Sequence, residues 1–396
     1  MSPPPLRVLF LTPYFRPYLG GIERAIEQLS FQLMQSGSVA AVGVLTTKYA
    51  FPRVPHPDWA DREVTPEGIS IFRLSGWPRR SIPLYSVPLV WFSPKQIRRY
   101  IEEFEPNVIH FVGDGWFWGH FWSWLCYRRR ARFVFTPSFH SLPLERQWLR
   151  PINGLLCRVV DQVIALTRLE QERVRRTYWI SPRKLDIIPW GARPPDVSIP
   201  SSGKGVAGGP PQGEPRRAIT ILCVGRLGDH KGQTWLLRVY EQARPRFQHP
   251  AQLVLVGRDE GREETIRNLV RTAGLEREVI LTGEVSDSDL ATWYSQADLF
   301  TLFSRYEAFG LVFFEAMVCG VPVLTHDVGA NGELLTRGAV VVAPFDEAAA
   351  VQQLVRLVND DGYRQKLGQE AQEYALAGFT WSATAERYLK VYRNSV

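Results

Sequence analysis

Short apolar runs alternate with longer amphipathic segments along most of the chain. The first run, Arg7–Thr12 (RVLFLT), leads through a Pro-rich turn and Gly20–Gly21 into an amphipathic segment at Ile22–Met34. Gly43–Thr47 has the pattern of a second strand. Together these elements predict a βαβ unit in which the glycine turn presents backbone amides at the carboxyl edge of the first strand. The pattern therefore indicates a doubly wound, mostly parallel sheet.

The same alternation continues in two series, separated by a segment almost without large apolar residues. The later strands of the first series are predicted at Asn107–Val112, Phe133–Thr136, Gln162–Leu166 and Leu185–Ile188. Those of the second series are predicted at Ile219–Val224, Leu253–Val256, Val279–Thr282, Leu299–Phe303, Val321–Thr325 and Ala339–Val342. The separating segment, Gly191–Pro215, is dense in Gly, Pro and Ser, which indicates a linker. The tail from Tyr363 is helical by pattern, with a break at 378–381.

This organisation predicts two α/β domains. We expect a first domain at residues 1–195, a linker at 196–215, a second domain at 216–378 and a C-terminal helix at 379–396 that packs back on the first domain. A length of 396 residues suits two domains better than one core. Two doubly wound domains would face each other across a cleft lined by the carboxyl edges of their sheets.

The composition is that of a globular protein. Hydrophobic residues make up 45% of the chain and charged residues 22%, which excludes a disordered chain. The four cysteines are far apart and lack the spacing of a metal site, as in a cytosolic protein with reduced thiols. The N-terminus lacks a signal-peptide pattern, and no apolar run reaches the roughly 18 to 20 residues of a spanning helix, so we expect a cytoplasmic protein. A net charge of +7 suggests a negative partner, either nucleotide phosphates or anionic lipid.

Two segments rich in aromatic residues and arginine leave a membrane contact open. Between Ser70 and Tyr100 the sequence fits either a surface loop packed over the domain or a basic aromatic patch lying on a membrane. Trp116–Leu125, followed by four arginines within 128–132, fits either an interfacial helix or a buried core helix with a solvated basic turn. We favour the core helix because aromatic side chains are usually buried. Peripheral contact with the inner face of the membrane stays a separate hypothesis.

The segment Ser304–Leu335 contains most of the candidate chemistry. A loop that ends at Gly310 precedes an apolar helix, so Glu307 lies just before the helix and Glu315 about a turn and a half inside it. Either glutamate could simply favour the N-terminal region of a helix. Glu315, however, interrupts an apolar helix face, where a buried carboxylate requires partners.

The start of this helix is a predicted anion site. The amides of Phe309, Gly310 and Leu311 would lie at the positive end of the helix dipole. A glycine at this place also allows a ligand to approach the backbone closely.

Two cations and a histidine follow predicted strand ends. Arg226 and Lys231 lie between a strand and a helix, so both could reach a ligand at the carboxyl edge of the sheet. With a helix N-terminus they would hold a diphosphate and stabilise it as a leaving group without a metal. His140 follows Phe133–Thr136, at the edge of the first sheet where ligands bind. The alternatives are solvated surface cations and a structural or surface histidine.

Several motifs resemble one enzyme family. GRLGDHKG (225–232), LVLVGRDEG, IIPWGA and above all SRYEAFGLVFFEAMVCGVPVLTHDVGANGELL are similar to motifs of the GT-B glycosyltransferases of family 4. GGIERAIEQLS and TPSFH extend the resemblance over nearly the whole chain. The resemblance implies an enzyme that moves a sugar from a nucleoside-diphosphate sugar to a hydroxyl acceptor, which is a glycan, a lipid-linked molecule or a small molecule.

The resemblance also implies the course of the reaction. The sugar would be transferred with retention of its anomeric configuration, by front-face displacement assisted by the leaving diphosphate. No metal ion or other cofactor would be required, and we expect no nucleic-acid partner.

The resemblance further assigns roles to individual residues. The donor site would comprise Glu315 on the ribose hydroxyls, Glu307 on the transferred sugar, Arg226 and Lys231 on the diphosphate, the backbone at Phe309, Gly310 and Leu311, and Gly21 near the phosphates from the facing domain. The catalytic group would comprise His140, facing the donor sugar, with Glu307, Arg226 and Lys231. Glu333 matches a further glutamate of the family pattern.

Three positions depart from that pattern, and other functions stay open. Ala308 stands where the family usually has glycine, Trp190 where it usually has asparagine, and Arg193 close to a position that is often acidic. Ala308 and Trp190 make the donor sugar less predictable. The alternative functions are a sugar-nucleotide epimerase or a phosphorylase of the same fold, and a non-catalytic nucleotide-sugar-binding protein.

Overall fold

The structure is a computed structural model, and it describes residues 5–17, 20–50, 54–78, 90–91, 93–113, 117–138, 150–193 and 217–394. The chain divides into two units, Met1–Gly191 with Trp381–Val396, and Ala192–Thr380. Each unit has one large, mainly parallel sheet flanked by helices, as the alternation of apolar and amphipathic segments predicts. The linker predicted at 196–215 lies outside the described residues.

The secondary structure follows the two predicted series. The strands are β1 (Leu6–Leu11), β2 (Val39–Thr47), β3 (Tyr49–Ala50), β4 (Val54–Pro55), β5 (Arg62–Val64), β6 (Ser70–Leu74), β7 (Trp77–Pro78), β8 (Val90–Trp91), β9 (Val108–Val112), β10 (Arg132–Thr136), β11 (Gln162–Ala165), β12 (Leu185–Ile187), β13 (Ile219–Val224), β14 (Ala251–Val256), β15 (Val279–Gly283), β16 (Leu299–Thr301), β17 (Val323–His326) and β18 (Ala339–Val342). The helices are α1 (Gly21–Gln35), α2 (Pro94–Phe104), α3 (Phe117–Tyr127), α4 (Arg150–Val159), α5 (Arg168–Tyr178), α6 (Gln233–Ala243), α7 (Glu263–Thr272), α8 (Asp287–Gln296), α9 (Leu311–Val318), α10 (Asn331–Leu334), α11 (Glu347–Asn359), α12 (Asp361–Gly378) and α13 (Trp381–Arg393).

The first unit is built on an eight-stranded sheet in the order β12-β11-β10-β9-β1-β2-β6-β5. The β5–β6 pair is antiparallel, and the other pairs are parallel. The strand order reverses between β1 and β9, the switch point of this sheet. α13 belongs to this unit: it packs against α1, and its Tyr392 hydroxyl lies 2.8 Å from His110 Nδ1. The helix break predicted at 378–381 is confirmed by the ends of α12 and α13.

The described parts of the segment between Ser70 and Tyr100 do not form the surface loop that was one of its two predicted alternatives. They include the buried strand β6 and the amphipathic helix α2, and both bury apolar residues in the core. Arg73 in β6 is 1% exposed, and its guanidinium donates to Glu63 Oε2 at 2.7 Å and to two backbone carbonyl oxygens. A surface loop was wrong for these parts, because they form a buried strand and a helix, and Arg73 can be buried where such acceptors surround it. The alternative of a membrane patch stays a prediction. Residues 79–89 and 92 lie outside the described residues.

The aromatic helix α3 places one face in the core, as in the core-helix interpretation. His120 is fully buried and stacks on Phe111 with 4.4 Å between ring centroids. Trp122 and Trp124 pack half-buried against the same core, and the arginines at 128–130 are exposed. Within the described ranges, no helix is long and apolar enough to cross a membrane.

The second unit has a six-stranded parallel sheet in the order β15-β14-β13-β16-β17-β18. Its strand order reverses between β13 and β16, where Ile221 lies opposite Leu299. In open α/β sheets, ligands bind at the carboxyl ends of the strands beside such a switch point. The loop at 225–232 follows β13 and the loop at 302–310 follows β16. We call them the β13 loop and the β16 loop.

Candidate functional site

A close backbone contact holds the β13 loop against the β16 loop. Gly232 has φ 73°, and a Cβ there would lie 1.9 Å from the carbonyl oxygen of Phe303, so only glycine fits. The Arg305 amide donates to the carbonyl oxygen of His230 at 2.9 Å. Side chains from the two loops are therefore brought together at the switch point.

A partly buried ion pair joins these two loops. Lys231 Nζ on the β13 loop donates to Glu307 Oε1 on the β16 loop at 2.6 Å. The Ser304 hydroxyl donates to the same oxygen at 2.7 Å. Glu307 is 8% exposed, and burial of a carboxylate requires partners of this kind. The sequence prediction that these two residues act at one place is therefore consistent with their geometry.

Arg226 lies on the same loop as Lys231 and provides a second cation. Its Nη1 donates to the Glu260 carboxylate, and its Nη2 lies 3.4 Å from His230 Nε2. Burial, and then the charges of Lys231 and Arg226, lower the pKa of His230 below its ordinary value. At neutral pH this histidine is therefore uncharged and can accept a hydrogen bond from the guanidinium.

The N-terminus of α9 completes a cluster whose other members are Arg226, Lys231 and Glu307. Gly310 caps this eight-residue helix with φ 75°, and a Cβ there would lie 2.5 Å from the ring of Phe313. The first amides of a helix have no acceptor within the helix and carry the positive end of its dipole. The backbone at Gly310 and Leu311 therefore adds partial positive charge three to four residues beyond Glu307.

Glu315, on α9, and Phe309, just before this helix, have different surroundings. Glu315 is half-buried, and the Tyr294 hydroxyl on α8 donates to its Oε2 at 2.7 Å, so the carboxylate has the partner that its place on an apolar helix requires. Phe309 is 3% exposed and stacks on Phe314 with 5.1 Å between ring centroids. Its side chain belongs to the core, and only its backbone is suited to a ligand.

The other predicted residues lie on other elements. Gly21 is the first residue of α1 in the first unit, and a Cβ there would meet nothing within 4 Å, so packing does not require glycine. Glu333 is half-buried on the short helix α10. His140 lies outside the described residues.

The structure shows the surroundings of two residues that differ from the family pattern, Trp190 and Ala308. Trp190 is 7% exposed and hydrogen-bonds to Tyr388, so it is a core residue of the first unit. Ala308 is half-buried in the β16 loop, between the buried residues Glu307 and Phe309.

Three neighbours of the cluster were missed by sequence reasoning: Ser304, Tyr294 and His326. His326 ends β17, is fully buried, and places Nε2 2.6 Å from the carbonyl oxygen of Ser304. The available signal was its position directly after the apolar run VPVLT, because residues at the carboxyl ends of parallel strands face the ligand edge.

The cluster can bind a polyanion through two cations and helix amides, with carboxylates beside it for hydroxyl groups. Among the residues that the structure describes, no group of three or more His, Cys, Asp or Glu side chains is arranged to hold a metal ion.

Two models of glycosyltransferase families together match most of both units. The family model "Glycosyltransferase Family 4" matches residues 19–194, and the model "Glycosyl transferases group 1" matches residues 210–374. The chain is 27% identical over 399 residues to the phosphatidyl-myo-inositol mannosyltransferase of Mycobacterium leprae, an alignment that covers 98% of this chain and 96% of the relative.

Solved structures share the fold. The sucrose-phosphate synthase of Thermosynechococcus elongatus has a TM-score of 0.74 at 23% identity, and the match covers 98% of each chain. HepE of Anabaena, solved in complex with UDP and glucose, has a TM-score of 0.68 at 17% identity, covering 98% of this chain and 99% of that chain. At these identities the likeness concerns the fold alone, and it confirms the predicted fold class.

Proposed function

This chain belongs to family 4 of the GT-B glycosyltransferases, and from that premise we propose that it transfers a sugar from a nucleoside-diphosphate sugar to a hydroxyl acceptor with retention of anomeric configuration. That the chain is a glycosyltransferase follows from the family; the donor class and the stereochemistry are the proposal. The observation that carries it is the Lys231–Glu307 pair at the N-terminus of α9, on the same loop as Arg226.

Arg226 and Lys231 would bind the diphosphate. Each is now paired with a carboxylate, Glu260 and Glu307 respectively. A diphosphate offers several charged oxygens, so it can accept hydrogen bonds from both cations and from the amides at Gly310. The same donors would stabilise the negative charge that develops as the bond between sugar and diphosphate breaks.

Two carboxylates would hold the groups on either side of the diphosphate. Glu315, fixed by Tyr294, would accept hydrogen bonds from the ribose hydroxyls, and Glu307 would accept them from the transferred sugar. The complex of HepE with UDP and glucose supports a nucleoside-diphosphate sugar as the donor class. Gly21 and His140 keep the roles that the family resemblance implies, near the phosphates and near the donor sugar.

The proposed route is a front-face displacement. The bond from the anomeric carbon to the diphosphate oxygen breaks, and the acceptor oxygen bonds to that carbon on the same face. The proton of the acceptor hydroxyl passes to an oxygen of the leaving diphosphate, so atoms and charge balance. The two cations provide the charge stabilisation, and we propose that neither a metal ion nor another cofactor is required.

A donor screen followed by product analysis tests the proposed function. Nucleoside diphosphates and their sugars are tested for thermal stabilisation of the full chain, and the selected donor is then incubated with candidate hydroxyl acceptors and EDTA. We expect release of nucleoside diphosphate that depends on the acceptor, and a product whose proton NMR spectrum shows the anomeric configuration of the donor. An inverted product would contradict retention, and a sugar nucleotide isomerised without an acceptor would identify an epimerase.

We also propose a peripheral membrane contact through the exposed turn after α3. The arginines at 128–130 are exposed, and the Arg128 guanidinium lies 5.0 Å from the centroid of the Trp124 ring. A basic surface with an aromatic neighbour suits an anionic membrane, and the M. leprae relative is named for a phosphatidyl acceptor. Cosedimentation with phosphatidylserine vesicles should occur at low salt and weaken when these arginines are replaced by alanine. No cosedimentation at low salt would remove this proposal.

A further inference from the structure

His326 connects the β17 strand end to the β16 loop, and we propose that it is a positioning residue that sets the sugar preference of the donor site through Glu307. This inference rests on the proposed function, because it requires that Glu307 contacts the transferred sugar. The family resemblance implies no role for His326.

Hydrogen bonds hold the imidazole in one tautomer. The Phe345 amide donates to His326 Nδ1 at 3.3 Å, so Nδ1 is the unprotonated nitrogen. Nε2 then carries the hydrogen and donates it to the carbonyl oxygen of Ser304, 2.6 Å away. Because both ring nitrogens are engaged, the ring cannot turn over without losing both bonds.

Packing fixes the ring from its other sides. The rings of Trp235, Phe303 and Phe345 surround it, with centroids 5.6, 5.5 and 4.8 Å from that of His326. Phe345 has φ 58°, a conformation that residues other than glycine rarely adopt. The chain thus retains an unfavourable backbone conformation at the residue whose amide binds His326.

Ser304 links the imidazole to the carboxylate. Its carbonyl oxygen accepts from His326, and its hydroxyl donates to Glu307 Oε1. The segment after β17 also holds the Glu307 backbone: the Ala330 amide donates to its carbonyl oxygen at 3.0 Å, and a Cβ on Gly329 would lie 1.9 Å from that oxygen. The strand end and the segment that follows it therefore locate both the backbone and the side chain of Glu307.

This geometry separates sugar recognition from nucleotide binding. The proposed ribose contact, Glu315, is fixed by Tyr294 on α8, whereas Glu307 is fixed from β17 through His326 and Ser304. Loss of the imidazole N–H should let the Glu307 carboxylate move while the ribose contact stays in place. The expected consequence is a loss of discrimination between donor sugars.

The test compares His326→Phe with His326→Gln in the full chain. Calorimetry measures Kd for UDP, UDP-glucose, UDP-galactose and UDP-N-acetylglucosamine, or for GDP and its sugars if the donor screen selects guanosine. For His326→Phe we expect Kd of the nucleoside diphosphate within about threefold of wild type, and a loss of about fivefold or more in the ratio of Kd between the best and second-best sugar. His326→Gln can still donate to the Ser304 carbonyl oxygen and should recover most of that ratio.

His110→Phe is the matched control. It removes a buried histidine of the first unit, which lies 2.8 Å from the Tyr392 hydroxyl and 2.9 Å from the Thr136 hydroxyl. It should lower stability and keep the wild-type sugar preference. If His326→Phe does not fold, Ser304→Ala replaces it, because this variant removes the hydroxyl that joins the histidine to Glu307 and must give the same loss.

The outcomes distinguish failure of the positioning role of His326 from failure of the proposed function. Unchanged sugar preference in His326→Phe, or an equal loss in His110→Phe, would overturn the positioning role while leaving the proposed function intact. A wild-type protein that binds no nucleoside-diphosphate sugar would overturn the proposed function, and the positioning role with it.

Discussion

Each of the two sheets has a switch point, where the strand order reverses, and the two sheets place different groups beside it. In the second unit, the loops at the switch point carry Arg226, Lys231 and Glu307. In the first unit, the described part of the loop after β1 contains one charged residue, Arg16, and its guanidinium pairs with Glu27 of the helix α1. The comparison shows that a doubly wound sheet supplies the place for a ligand, while the loop sequences decide what chemistry is available there.

The two units also use a buried histidine in different ways. His110 lies in β9 and bonds to Tyr392 of α13, so it connects a sheet to the terminal helix. His326 lies at the end of β17 and bonds to the β16 loop, so it connects a sheet to a charged cluster. Similar burial thus supports packing in one unit and, on our proposal, positioning in the other.

The largest expected difference between the units is in the loss of stability when one glycine is replaced by alanine, which adds a single methyl group. Gly232→Ala would place a Cβ 1.9 Å from the Phe303 carbonyl oxygen at φ 73°, and we expect it to lower the free energy of unfolding by at least about 3 kcal/mol. Gly21→Ala in the first unit should change it by no more than about 0.5 kcal/mol, because its Cβ would meet nothing within 4 Å. Urea denaturation measures both values. Similar losses would contradict the close loop contact described for the second unit.

The next largest effect compares two cations, half-buried Lys231 in the second unit and buried Arg73 in the first. Lys231→Ala should lower kcat/KM for transfer about 100-fold or more, because it removes a proposed diphosphate donor and leaves Glu307 without its ion-pair partner. Arg73→Met removes a more deeply buried cation from the first unit. It should lower Tm but leave kcat/KM unchanged at temperatures where the variant is folded. Steady-state kinetics that showed equal losses in both variants would indicate a general effect of destabilisation.

Two buried histidines of the first unit, His110 and His120, should make the stability of the protein depend on pH. Burial lowers the pKa of His110 and of His120 to about 3, so the native state does not bind these protons until the pH approaches 3. The unfolded chain binds them from about pH 6.5 downward. Stability is therefore greatest above that pH and falls on acidification, by up to about 1.4 kcal/mol per pH unit for each histidine.

His110→Phe checks this dependence, because it removes one of the two groups. Urea denaturation between pH 7 and pH 5 should give a shallower pH dependence for the variant than for the wild type. An unchanged slope would contradict the neutral, buried state assigned to His110.

The smallest effect compares two tyrosines of the second unit. Tyr294→Phe removes the hydroxyl that holds Glu315 and should weaken nucleoside-diphosphate binding about fivefold, close to 1 kcal/mol. Tyr240→Phe removes a hydroxyl that donates to the Ala251 carbonyl oxygen, and it should leave this affinity unchanged. Calorimetric titration of both variants distinguishes support of Glu315 from general packing. Equal weakening would count against that support.

Prediction from sequence succeeded where local pattern decides the structure. β13 and β18 have their predicted bounds because each is a short apolar run with a clear end. β17 begins two residues later than expected, at Val323, because Pro322 has no N–H to donate to a neighbouring strand. Arg226 and Lys231 could be selected because they lie between an apolar strand and a helix, and Glu307 because it lies just before an apolar helix.

The rest depends on contacts between distant parts of the chain. Arg73 is buried because acceptors from two separate segments, at Arg16 and at residues 60–63, reach it, which no local pattern reveals. Tyr294 and His326 come to the cluster from α8 and β17, and their partners Glu315 and Ser304 are 21 and 22 residues away in sequence. Side chains that support a site are therefore harder to predict than those that follow a strand end.

Calorimetric titration of the full chain with nucleoside diphosphates tests most directly the central claim, that the charged switch point of the second unit binds the donor. The wild type should bind one of UDP, GDP or ADP, and Lys231→Ala and Glu315→Ala should each weaken that binding about tenfold or more. Binding that is undiminished in both variants would contradict the account.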